Sequence, residues 1–230
     1  MCNAYTLRHN QYELFDLASR MQIPVRALEP FEPRWRIGIK QRGLILKPDT
    51  SGELDWSWAR WSLVPTGPDV KYPLNNARTD KLGSWPWKPF QSRRCLVPAS
   101  GFWEPEKKAR EKGNVPWSYY ALRSEEPFLM AGLWSDVPDS KTGAALESYT
   151  VLIGDANEAM RVHDRMPVML RGRAARTWIE PGPLPFKVLV PYPATEMIAW
   201  RVIDDAKNSR ITPTPAMASP VEETSETTLF

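Results

Sequence analysis

Between residues 11 and 21, apolar side chains recur every three or four positions, at Leu14, Leu17, Ala18 and Met21. That spacing predicts an amphipathic helix with one buried stripe. Further on the period changes. Short apolar or alternating runs stand between prolines and glycines at GLILK (43–47), RWSLVP (60–65), RCLVPASGFWEP (94–105), WSYYALR (117–123), PFLMAGLWS (127–135) and SYTVLIG (148–154). Most of them predict strands. Three more short helices are expected. One is DANEAMRVH (155–163), opened by Asp155 and Glu158 as a capping box; the others are RAARTWIE (173–180) and PATEMIAW (193–200). The 23 prolines imply many irregular connections, and no repeat or linker divides the chain. The expected fold is a single α+β domain dominated by antiparallel strands. From Pro213 to Phe230 the chain is rich in Pro, Ser, Thr and Glu, and disorder is expected there.

Composition narrows the function. At 230 residues with 42% hydrophobic and 25% charged positions, this is an ordinary globular chain with enough length for a real core. No apolar run is long enough to cross a bilayer, and the N-terminus lacks the layout of a signal peptide. Cys2 and Cys95 make no disulfide framework, which suits a reducing cytoplasm. Two cysteines and two histidines, at 2, 9, 95 and 163, match no zinc-ligand spacing, so no metal is expected. No glycine-rich phosphate loop, nucleophile elbow or HExxH pair is present.

Charge is unevenly spread. Residues 1–123 hold 20 Lys and Arg against 12 Asp and Glu, while residues 124–230 hold 10 against 15. A basic first half fits either a polyanionic partner or a plain solvated surface. Nine of the 11 tryptophans lie in the first 134 residues, and several adjoin arginines, as at Arg60-Trp61. Such pairs serve as stacking platforms for unpaired bases or simply as core.

Four positions carry candidate chemistry. Cys2 follows Met1 directly. Once Met1 is removed, an α-amine of pKa about 8 stands on the carbon next to one bearing a thiol of pKa about 8.5. That pair captures an aldehyde twice, the amine as an imine and the thiol by ring closure on the same carbon. The alternative is an incidental cysteine at a frayed end. Asn76 and Arg78, in NNARTD (75–80), offer an amide and a phosphate fork, or a plain turn. Glu104 ends a strand-like run among aromatics, a setting for a general acid or base, or for a solvated loop carboxylate. His163, between Val162 and Asp164-Arg165, is placed for proton shuttling or for structural hydrogen bonds. Cys95 lies in an apolar run and reads as an inert thiol. His9 has no such setting and is assigned no role.

The ordered set of Met1-Cys2, RWSLVP (60–65), Asn76-Ala77-Arg78, RCLVPASGFWE (94–104), AGLW (131–134) and HDRMP (163–167) resembles the SRAP family. These are the abasic-site processing proteins, once called SOS response-associated peptidases, and the resemblance covers most of residues 1–210. It implies one such domain over 1–212, with a barrel-like core of strands and short flanking helices. It further implies that Cys2 traps the aldehyde of an abasic site in single-stranded DNA as a thiazolidine crosslink. By the same resemblance Asn76 orients the opened sugar, Glu104 manages protons during imine formation, and His163 promotes ring opening. Arg78 binds the phosphate next to the lesion, with Arg60, Trp61 and Arg165 as further DNA contacts. An AP-lyase activity, a peptidase activity that removes Met1, no cofactor and a monomer acting on cytoplasmic DNA during repair complete the expectation. The chain departs from the family at Asn3-Ala4, where Gly-Arg is usual, at Asp80, where Glu is usual, and at Pro105, where an aromatic is usual. The chemistry is expected to survive and the DNA contacts to be remodelled. Two other readings use the same residues: an N-terminal cysteine amidase or peptidase, and a non-catalytic single-strand binding module.

Overall fold

The computed structural model describes residues 3–67, 70–106, 115–138, 143, 146–203 and 210–221. The strands in chain order are β1 (Ala4–Leu7), β2 (Arg34–Gly38), β3 (Arg42–Pro48), β4 (Leu54–Trp61), β5 (Asn76–Arg78), β6 (Arg94–Ala99), β7 (Gly101–Pro105), β8 (Trp117–Leu122), β9 (Phe128–Ser135), β10 (Ser148–Asp155), β11 (Arg165–Pro167), β12 (Met169–Leu170) and β13 (Met197–Val202). Helix α1 (Gln11–Arg20) follows β1, and α2 (Arg173–Ile179) follows β12. The fold is α+β and mostly strand, as the sequence pattern predicts.

One sheet runs β13-β8-β7-β1-β2. The other runs β10-β4-β3-β6-β9, and β9 pairs back onto β10 through Thr150↔Leu133 and its neighbours, so five strands close into a ring. Closure removes two sheet edges. The sheets meet at Tyr5 of β1 and Tyr149 of β10, whose hydroxyl oxygens are 2.5 Å apart in the core. Strand β3 crosses over this pair at Gly43, where a Cβ would lie 2.2 Å from both hydroxyls. Only a residue without a side chain fits there.

Local chemistry explains the helices. Asn10 caps α1 by accepting from the amides of Tyr12 and Glu13, while Glu13 returns a bond to the Asn10 amide. Leu14, Leu17 and Ala18 are buried, as their spacing predicts. Buried Arg94 closes the end of α2, donating to the carbonyls of Trp178, Glu180 and Gly182. The run 94–105 splits at Ser100, and its halves enter different sheets. The corner is held by the hydroxyl of Ser100, which takes the Arg8 amide at 2.8 Å and meets Nδ1 of His9 at 2.7 Å. Nε2 of His9 donates to the Glu125 carbonyl at 3.0 Å. His9 thus has the structural role the sequence did not give it.

Three local expectations are corrected. Residues 155–163 are not a helix: Asp155 is the last residue of β10, paired with Arg165, and Asn157 builds a turn by accepting from Ala159 and Met160. Residues 193–200 divide: Ala194–Glu196 is a single 3-10 turn, and from Met197 the chain is strand because β13 has β8 to pair with along its whole length. The tail is anchored at Pro215–Ala218, a 3-10 turn in which Met217 is buried and its carbonyl accepts from the Trp103 indole at 3.1 Å. Residues 222–230 lie outside the described residues.

Candidate active site

Glu104 stands on β7 with 0% exposure. It is opposite Ser118 of β8, and Phe102 is opposite Tyr120. Directly opposed residues share a sheet face, so Glu104, Ser118, Phe102 and Tyr120 all point inward. Burial, assisted by the charges of Glu106 and Glu104, pushes the Tyr120 hydroxyl up to about 12. Tyr120 therefore stays neutral and keeps its proton. Strand β1 lies against β7 with Ala4 opposite Trp103. The start of the described chain thus enters beside the strand end that carries Glu104. Cys2, the expected nucleophile, lies outside the described residues.

The segment 76–78 is a short strand rather than part of a turn. Strand β5 pairs in parallel with β10, with Asn76 beside Val151 and Arg78 beside Ile153. Side chains alternate, so Ala77 fills the core while Asn76 and Arg78 share the other face. The Arg78 fork closes on Asp80 through contacts of 3.0 and 2.7 Å. That hydrogen bonding holds the Asp80 carboxyl below its ordinary range. The charges of Asp164 and Asp155 also act on Arg78, and that of Arg165 acts on Asp80.

His163 joins this charged group. Its Nδ1 lies 3.0 Å from the Arg165 amide and 2.8 Å from a carboxylate oxygen of Asp164. One nitrogen does not accept from the first and donate to the second at once. The two contacts therefore belong to different proton positions on the ring: bare Nδ1 accepts from the Arg165 amide, and Nδ1–H donates to Asp164. Arg165 itself pairs with Asp155 across the β10–β11 hairpin. Val162, next to His163, packs against the apolar cluster that contains Phe102 and Tyr120. Through that cluster the His163 loop and the Glu104 strand are tied together.

Trp61 requires a correction. It is 0% exposed, edge-on to Tyr5 at 5.2 Å and stacked with Tyr149 at 6.5 Å. Its ring has no face to offer a base, so it is not a stacking platform. Its indole N–H instead donates to the Asn75 carbonyl at 2.8 Å, which fixes the backbone next to Asn76. Arg60 is half-buried on β4, directly across from Arg42 of β3. Like charges in that position repel, and an anion lying across both would relieve the repulsion. Cys95 is fully buried, and desolvation pushes its thiol far up, out of reach of ionisation.

Sequence reasoning missed Tyr5, Tyr149 and Tyr120. Nothing local marks them, because their partners lie on other strands. Among the described residues no three His, Cys, Asp or Glu side chains gather as metal ligands, and no helix is long and apolar enough to cross a membrane.

The family model described as SOS response associated peptidase (SRAP) matches residues 1–209. The abasic site processing protein YoqW of Bacillus subtilis (strain 168) is 30% identical over 227 residues, covering 91% of this chain and 96% of that protein. The abasic site processing protein HMCES of Xenopus tropicalis is 31% identical over 153 residues, covering 56% of this chain and 46% of that protein. Among solved structures, a protein from Bacteroides thetaiotaomicron superposes with a TM-score of 0.75 at 19% identity, covering 96% of this chain and 100% of that one. A Bordetella bronchiseptica protein gives 0.69 at 22% identity, covering 88% and 100%. These two likenesses speak to the fold alone.

Proposed function

The chain belongs to the SOS response associated peptidase family, and from that premise we propose that it processes abasic sites in single-stranded DNA by capturing the lesion aldehyde on its N-terminus. The observation that supports this reading best is the entry of β1 beside the end of β7 that carries the buried Glu104. An imine-forming terminus needs a proton donor and acceptor within reach and shielded from bulk water.

The chemistry runs as follows. Removal of Met1, by the chain's own peptidase activity or another's, frees the Cys2 α-amine. His163 takes the proton of the C1′ hydroxyl of the closed sugar and delivers it to the ring oxygen as the C1′–O4′ bond breaks, leaving the open aldehyde. The amine adds to the aldehyde carbon, and Glu104 protonates the resulting hydroxyl, which leaves as water. The Cys2 thiolate then adds to the imine carbon and closes a thiazolidine. The balance is aldehyde plus aminothiol giving thiazolidine plus water. Asn76 orients the opened sugar by hydrogen bonding. Arg78, Arg60 and Arg165 hold phosphates, and an incoming phosphate takes over the Arg78 fork from Asp80. If the thiol does not close the ring, the imine is positioned for β-elimination, which is an AP-lyase outcome.

Intact-mass spectrometry tests this. The purified protein is measured alone and after mixing with a single-stranded oligonucleotide bearing one abasic site. The expected result is a chain lacking Met1 that forms a heat-stable adduct, lost in Cys2→Ala and slowed in Glu104→Gln. A chain lacking Met1 that forms no adduct overturns the reading.

A further inference from the structure

A cavity of about 630 Å³ opens on the sheet face that carries Glu104, bounded by β8, β13 and the loop 158–162. Tyr120 lines it, as do Ser118 and Val162, the neighbour of His163. Three arginines reach it, and among the described residues only one is spent on a carboxylate. Arg201 is locked onto Glu106 at 2.9 Å. Among the described residues the Arg123 guanidinium meets main-chain oxygens alone, those of Thr195 and Met197, at 3.4 and 3.2 Å. Arg161 is exposed and engages no carboxylate among the described residues. Glu158 is the remaining carboxylate on the lining, so the cavity keeps an excess of positive charge. Arg161 and Glu104 both act electrostatically on the Tyr120 hydroxyl, which places the cation and the buried carboxylate around one side chain.

Arg161 and Arg165 bracket His163 in sequence. Arg161 and Val162, before His163, line the cavity, while Arg165, after it, acts on Asp80 in the charged group that contains Arg78. We propose that the cavity is a second phosphate-binding position for the DNA strand, in which Arg161, backed by Arg123, holds the phosphodiester on the opposite side of the lesion from the one that Arg78 holds. The proposal rests on the abasic-site reading above. It gives the strand two anchored phosphates with the reacting sugar between them, a geometry that keeps the opened aldehyde from drifting.

The probe is a pair of single-stranded oligonucleotides carrying a tetrahydrofuran abasic analogue, which has no aldehyde. One has nucleotides only 5′ of the lesion, the other only 3′. Binding is followed by fluorescence anisotropy across a salt series. Arg161→Gln is expected to weaken binding of one oligonucleotide about ten-fold and to lower its salt slope by about 0.7, the value for one phosphate on a single strand. The other oligonucleotide keeps its affinity, and Arg78→Gln shows the reverse preference. Thermal melting confirms that both variants fold. Unchanged binding in Arg161→Gln, or an equal loss on both oligonucleotides, overturns the proposal. A wild-type protein that forms no adduct yet shows the one-sided Arg161 effect removes the covalent reading and leaves this position standing.

Discussion

The indole N–H of Trp61 donates across 2.8 Å to the carbonyl of Asn75, the residue immediately before Asn76. The same oxygen accepts from the Val151 amide at 3.0 Å. A buried tryptophan on β4 thereby fixes the start of the short strand that presents Asn76 and Arg78. Trp61→Phe removes the bond and keeps most of the ring. It is expected to cost about 1 kcal/mol in denaturant unfolding. Adduct formation should slow while affinity for the tetrahydrofuran analogue holds, because the change acts on the placement of Asn76. An unchanged adduct rate at unchanged affinity would show that Asn76 needs no such anchor.

Gly43 is pinned by the two tyrosine hydroxyls. Gly43→Ala should destabilise the fold by about 1–3 kcal/mol, the usual cost of overpacking. Adding Tyr5→Phe and Tyr149→Phe removes both oxygens that the new Cβ would strike. The triple variant should recover much of the loss, seen as a favourable coupling energy in urea unfolding. Additive losses would place the strain elsewhere.

His9 should make stability fall in mild acid. Burial lowers its pKa, with Arg8 acting the same way against the opposing charge of Glu13 and the bond to Glu125. The folded pKa therefore lies below about 6.5, the unfolded value, and the unfolded chain binds more protons in that window. The contribution is complete above about pH 6.5 and is lost as the pH falls through the folded pKa. Urea midpoints between about pH 7 and about pH 5 should decline in the wild type and flatten in His9→Gln. Parallel slopes in the two proteins would refute the assignment.

Arg94 should be irreplaceable by lysine. Its planar fork serves several carbonyls around the end of α2, a geometry that an ammonium does not reproduce. Both Arg94→Lys and Arg94→Met are expected to lose about 2–4 kcal/mol. Full stability in the lysine variant would mean that charge alone suffices.

If Arg78 holds a DNA phosphate as proposed, Asp80 competes for it. Asp80→Asn removes a negative charge from the charged group and should tighten binding to single-stranded DNA by a few-fold at low salt, with the difference shrinking as salt rises. Weaker binding would mean that Asp80 holds Arg78 in its working orientation.

The pattern of apolar positions already contained the α+β class, helix α1 and most strands, because burial of one face leaves a period in the sequence. The candidates Asn76, Glu104 and His163 came instead from their local motifs and from the resemblance to a family that carries them in this order. The pattern misread as helices 155–163, where the Asn157 side chain takes the amides of Ala159 and Met160 into a turn, and 197–200, where strand β8 offers its hydrogen bonds. It read the tail as disordered, since composition does not show that Trp103 has an indole N–H to satisfy. Trp61 is the sharpest case: its setting beside Arg60 reads as a surface platform, while the structure encloses it between Tyr5 and Tyr149.

What the sequence by itself determined was local: periodicity, caps, and which chemical groups the chain carries. Only the tertiary structure decided which of those groups meet and which are hidden. It closed five strands through β9 and β10, buried Trp61 behind Asn75, and drew Arg78, His163 and Arg165 around one hairpin. The physical reason is that such meetings depend on pairing between strands far apart in the chain. That pairing is set by the whole core at once and leaves no mark within any single segment.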